Sequence, residues 1–168
     1  MANQQRLNIL VVDHEEEAQL QLKQVLTDEG YGVTSLSEPW SAPEEVRQNR
    51  FQIIILDVSP ESGGAEALAA IRDFDTDICV IATTGLASVA AAVETMKHSA
   101  FHYLQKPLET EEVLAVVGEA IRDRGLLVDL ETHLNSEVGR RIRTMRHESD
   151  LTLKQLANRT GLSVSLIS

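Results

Sequence analysis

Asp57 closes a short run, Phe51–Leu56, that is apolar and dominated by isoleucine. A run of this kind reads as a parallel strand buried on both faces. Its terminal carboxylate is then delivered to the carboxyl edge of the sheet, where open α/β folds hold their ligands and do their chemistry. A second run, Leu7–Val12, leads into Asp13 in the same way. A third, Phe101–Leu104, is followed by Gln105, Lys106 and Pro107, and Thr84 follows Ile78–Thr83. Two carboxylates, an ammonium and a hydroxyl would converge from four strand ends on one ligand. Singly, each has a plainer reading: Asp13 as a cap for the next helix, Thr84 as a strand-end hydroxyl, Lys106 as a loop cation. None of these explains all of them together.

The elements that must position this set alternate along the chain. Strand-like runs at Leu7–Val12, Tyr31–Leu36, Phe51–Leu56, Ile78–Thr83 and Phe101–Leu104 are separated by helical patterns near 15–29, 39–49, 64–72, 87–98 and 109–124. The first helix places Leu22, Val25 and Leu26 on one face and stops at Gly30; the fourth places Val89, Ala92, Val93 and Met96 inward. Alternation with short connections predicts an α/β fold, a five-stranded, doubly wound parallel sheet with helices on both sides. At 168 residues, 43% hydrophobic and 24% charged, the chain suits one globular domain with a short appendage. The longest apolar stretches fall far below a membrane span, and the lone Cys79 offers no disulfide or metal pair. The expectation is a cytoplasmic protein with no membrane partner.

Taken in order, Val11–Asp13, Ile53–Asp57, Thr83–Thr84, Ala91–Lys97 and Phe101–Pro107 resemble the receiver domain of two-component response regulators, over about residues 6–122. The resemblance implies a flavodoxin-like fold and a signalling protein rather than an enzyme. It makes Asp57 the nucleophile that takes a phosphoryl group from a sensor histidine kinase or phosphotransfer protein. Mg2+ would neutralise the phosphoryl oxygens, held by Asp13, Asp57 and the backbone carbonyl of Ser59. Lys106 would pair with one phosphoryl oxygen and Thr84 with another, while Tyr103, otherwise a plain core aromatic, would be the switch that turns inward with Thr84.

Two departures bear on the metal, one of them a loop after Asp57, Val58–Gly64, that is one residue shorter than the family's. The family usually carries a second acid after the first strand, and here that position is His14. A neutral imidazole suits softer ions than Mg2+. Glu15 or Glu16 could substitute through a water. The alternative reading is a degenerate receiver acting as a phosphorylation-independent dimerisation or protein-interaction module.

Beyond residue 124 the pattern changes. Residues 1–136 carry 9 Lys/Arg against 23 Asp/Glu, and residues 137–168 carry 6 against 3, for a net charge of −11 overall. An acidic body with a basic tail suggests a polyanionic partner, although a basic solvated face would look the same. Leu127, Leu130, Leu134, Val138, Ile142 and Met145 form a narrow stripe, read as a helical linker with dimer propensity. Leu151–Ser168 reads as helix, turn, helix: Thr152 and Gln155 form a capping box, and Gly161 supplies the turn. From Val138 the tail resembles a phage-repressor helix-turn-helix of the Cro type. That implies base contacts from Val164, Ser165 and Ser168, and phosphate contacts from Thr152, Lys154, Arg140, Arg143 and Arg159. The organisation is therefore receiver 1–124, linker 125–137 and a partial all-α helix-turn-helix 138–168. The abrupt end inside the last helix predicts a fragment of a longer regulator. The expected function is a phosphorylation-linked dimer that controls transcription through DNA.

Overall fold

Apolar strand residues alternate between two cores, and that alternation sets the direction of every site residue. The computed structural model describes residues 7–85, 89–126, 142, 144, 146 and 152–160. Strands β1 (Asn8–Val12), β2 (Gly32–Leu36), β3 (Ile53–Asp57), β4 (Cys79–Thr84) and β5 (His102–Gln105) form one sheet in the order β2-β1-β3-β4-β5. All four pairings are parallel. The helices are α1 (Glu16–Asp28), α2 (Ala42–Gln48, preceded by a 3-10 turn at Pro39–Ser41), α3 (Gly64–Arg72), α4 (Val89–Lys97) and α5 (Thr110–Asp123). The expected five-stranded parallel α/β architecture is therefore present. Asp57 and Thr84 are the last residues of their strands rather than the first residues beyond them, as the apolar runs suggested.

Ile9, Val11, Ile53, Ile55, Cys79, Ile81 and Leu104 face one core, which α1 closes with Leu22 and Leu26 and α5 closes with Val113, Val116, Val117, Ala120 and Ile121. The α5 set repeats at i, i+3, i+4, i+7 and i+8, one full apolar stripe. Leu10, Val12, Ile54, Leu56, Val80 and Ala82 face the other core, closed by Ala42 and by Leu68 and Ile71 of α3. By the two-residue period of a strand, Asp57 continues the Ile53–Ile55 side, whereas Thr84 and Tyr103 belong to the opposite side. The ladder runs one residue beyond the strands, Asp13 N–H donating to the Leu36 carbonyl at 3.1 Å and Lys106 N–H to that of Thr84 at 2.8 Å. Asp13 and Lys106 thereby join the Asp57 side.

Helix α1 stops as its glycine predicts. Gly30 has φ +90°, its N–H donates to the Thr27 carbonyl at 2.9 Å, and Tyr31 N–H donates to that of Leu26 at 3.1 Å, a Schellman closure. Helix α4 corrects the sequence reading: Val93 and Met96 are 50% and 55% exposed, while Thr95 is buried. The stretch Val89–Val93 is apolar on every side, so periodicity could not choose its inner face.

The chain divides into two units, Met1–Leu126 and Leu127–Ser168. In the second, α6 (Leu153–Thr160) begins with the expected capping box, Gln155 N–H donating to Thr152 Oγ1 at 3.2 Å and Thr152 N–H to Gln155 Oε1 at 2.9 Å. Thr152, Lys154 and Arg159 are exposed there. Residues 127–137 of the linker, and Arg140, Arg143, Val164, Ser165 and Ser168, lie outside the described residues.

Candidate metal centre

The sheet order reverses direction between β1 and β3, and parallel sheets open a crevice at such a point. Register aligns Val12 with Leu56, so Asp13 and Asp57 emerge side by side at that crevice. Asp13 is 1% exposed and Asp57 is fully buried. Lys106 arrives from β5, its Nζ 2.9 Å from both Asp13 carboxylate oxygens, 3.0 Å from Glu15 Oε1 and 3.8 Å from Asp57 Oδ2. The predicted assembly of Asp13, Asp57 and Lys106 is thus realised in the geometry. Thr84 is buried at the end of β4, on the opposite side of the sheet from these three, and Tyr103 is half-buried against the α3 core. Asp13 also accepts the Glu15 N–H at 2.9 Å, a bond that fixes the turn leading into α1 without capping the helix itself.

Burial pushes the Asp13 carboxyl above its usual pKa, and the hydrogen bonds from Lys106 and the Glu15 backbone only partly offset it. For Lys106, burial pulls the pKa down, but hydrogen bonds to Asp13 and Glu15 outweigh it, and the ammonium ends above its usual value. The cation is held by the acids it faces.

Asp57 is engaged at both oxygens. Oδ1 accepts Ser59 N–H at 3.0 Å and the Ser59 hydroxyl at 2.6 Å, while Oδ2 lies 2.5 Å from His14 Nδ1. The Ser59 carbonyl accepts both the N–H of Ser62, at 2.9 Å, and its hydroxyl, at 2.8 Å. Ser62 Oγ also reaches the Asp57 carbonyl at 2.9 Å and accepts Gly64 N–H at 3.0 Å. A side chain at Gly64 would run into the Asp57 carbonyl, which explains a glycine at the start of α3. The sequence reading did not single out Ser62, Gly64 or the hydroxyl of Ser59. Only the Ser-Gly-Gly composition of the loop hinted at them.

One carboxylate oxygen from each of Asp13 and Asp57 and a ring nitrogen of His14 lie within 4.8 Å of one another. Asp13 Oδ2 is buried with no hydrogen-bond partner, although the Lys106 ammonium is close. Two carboxylate oxygens and an imidazole nitrogen are a donor set that fits a divalent cation.

Similarity to known proteins agrees with this geometry. The family model for the response regulator receiver domain matches residues 9–118. "Transcriptional regulatory protein ZraR" of Klebsiella oxytoca is 33% identical over 118 residues, covering 70% of this chain and 27% of that protein. "Uncharacterized transcriptional regulatory protein YkoG" of Bacillus subtilis (strain 168) is 30% identical over 156 residues, covering 88% of this chain and 68% of that protein. The beryllofluoride-activated NtrC4 receiver domain dimer, solved in solution, superposes with a TM-score of 0.64 at 31% identity, covering 70% of this chain and 98% of that one. The chain thus spans about a quarter of the ZraR relative's length. Among the described residues no helix is long and apolar enough to cross a membrane. A buried aspartate at the switch point of a five-stranded parallel sheet, an acid and a lysine beside it, and a family match over most of the sheet lead to one conclusion: the chain belongs to the response regulator receiver family.

Proposed function

We propose that this chain is the receiver of a transcriptional response regulator, with Asp57 as its phosphoacceptor. The observation that carries the reading is Lys106 Nζ, 3.8 Å from Asp57 Oδ2 and held between Asp13 and Glu15 at the switch point. An oxygen of Asp57 would attack the phosphorus of a phosphohistidine on a histidine kinase or phosphotransfer protein, forming the O–P bond as the N–P bond breaks. Lys106, released from Glu15, would neutralise one phosphoryl oxygen, and the Thr84 hydroxyl would bind a second. Receiver domains bind Mg2+ at an acidic site, and a cation held here by Asp13, Asp57 and the Ser59 carbonyl would supply the remaining positive charge. The drawing-in of Thr84 would turn Tyr103 inward and shift the balance between two arrangements of the α4–β5–α5 face.

Transcriptional relatives support an output that reads DNA. In this reading the receiver covers 1–124, the linker 125–137, and residues 138–168 begin a helix-turn-helix. Val164, Ser165 and Ser168 would face bases, and Thr152, Lys154, Arg140, Arg143 and Arg159 would face phosphates. The NtrC4 receiver dimer supports a homodimer as the active form. The relatives do not favour the phosphorylation-independent scaffold.

Incubation with a small phosphodonor and a divalent metal, read by intact mass, tests the reading. One phosphoryl adduct is expected, absent from Asp57→Asn. No adduct with any divalent ion would overturn it.

A further inference from the structure

The site contains an imidazole where hard-cation chemistry calls for oxygen. His14 Nδ1 lies 2.5 Å from Asp57 Oδ2, and its side chain is 46% exposed, so one edge of the donor cluster opens to solvent. The oxygens around it are largely committed. Asp57 Oδ1 accepts two hydrogen bonds from Ser59, and the Ser59 carbonyl accepts two from Ser62. Asp13 Oδ2 accepts no hydrogen bond and is balanced only by the Lys106 ammonium 2.9 Å away, and Asp57 Oδ2 faces His14. An incoming ion would therefore meet two carboxylate oxygens and one ring nitrogen within 4.8 Å of one another.

Mg2+ demands near-octahedral oxygen coordination and rarely takes imidazole, whereas iron(II), cobalt(II), nickel(II) and zinc(II) accept mixed nitrogen and carboxylate sets readily. We propose that this site selects a borderline first-row transition-metal dication over Mg2+, with His14 Nδ1 as a direct ligand beside Asp13 and Asp57. The assignment rests on the phosphoacceptor reading only in sharing its pocket. As a ligand, His14 Nδ1 presents its lone pair to the ion, so the ring takes the Nε2–H tautomer and ion binding breaks the His14–Asp57 contact.

The test uses Co2+ and Mg2+ alone, titrated calorimetrically into the full chain and into His14→Asp. Proton NMR of the Co2+ form provides a readout that needs no variant. Expected are tighter binding of Co2+ than of Mg2+ and a paramagnetically shifted, solvent-exchangeable imidazole N–H that disappears in His14→Asp. The Co2+-to-Mg2+ affinity ratio should fall by about tenfold or more in that variant, the scale on which metal surroundings register. The absence of the imidazole signal from the wild-type chain, its survival in His14→Asp, or an unchanged ratio would overturn the assignment. A phosphoryl adduct at Asp57 would stand in that case. Histidine ligation without any adduct would instead remove the phosphoacceptor reading and leave the metal assignment intact.

Discussion

At Asp13 two roles compete, and pH separates them. The carboxylate fixes the turn into α1 and holds Lys106, yet its burial raises its pKa. Below its unfolded value of about 3.8 it is neutral in both states and costs nothing. As pH rises through the higher folded value, ionisation becomes harder inside the fold than in the unfolded chain, and this group's contribution to stability is lost. Asp13→Asn should therefore be more stable than the parent at pH 7, with the gap closing towards pH 3. Denaturant unfolding at a series of pH values measures it, and a gap independent of pH would rule out burial of the carboxylate as its cause. Cys79 makes a second case. Burial pushes its thiol up to about 11, and its side chain is 1% exposed in β4. It should resist alkylation in the native chain at pH 8 and react at once on unfolding, a contrast that mass spectrometry records directly.

The helices differ in what each one's burial does for the site. Leu68 of α3 is fully buried against Ile54 and Leu56, and α3 begins where Gly64 abuts the Asp57 carbonyl. Leu68→Ala should cost about 2–5 kcal/mol of unfolding free energy. Met96→Ala on α4 should change stability by no more than about 0.5 kcal/mol, because that side chain is more than half exposed. Equal costs at the two positions would mean that α4 packs through Met96, as its sequence alone suggested. Gly64→Ala should lower stability and also disturb the loop that fixes the Asp57 backbone, visible as shifted amide resonances at Ser59 and Ser62.

For the molecule as a whole, the proposed switch would need a second copy or DNA to act on. The stripe of Leu127, Leu130, Leu134, Val138, Ile142 and Met145 is the sequence's candidate seam. Leu130→Ala combined with Leu134→Ala should convert a dimer to a monomer in light scattering, with the receiver's phosphoryl uptake unchanged. A solution mass identical to that of the parent would assign dimerisation to another surface. The basic balance of residues 137–168 carries a prediction of the same scale: any duplex binding should weaken steeply as salt rises, since phosphate contacts release counterions.

Much of this was legible in the chain. Period-two and period-3.6 patterns depend on nearest neighbours, so five strands, five helices and their alternation could be read directly, and with them the strand ends that carry Asp13, Asp57 and Lys106. What one side chain does with another distant in sequence leaves no such pattern. Glu15 reaches Lys106 across 91 positions, and His14 reaches Asp57 across 43, because β1 lies beside β3 in the sheet and Lys106 extends from the far edge. The inner face of α4 was misread at Val93 and Met96 for the same reason, since an apolar stretch buries whichever side its neighbours cover. The sequence by itself determined which elements form and which residues stand at their ends. Tertiary structure alone decided which ends meet and which donors remain for an ion, because packing of strands far apart in the chain sets both.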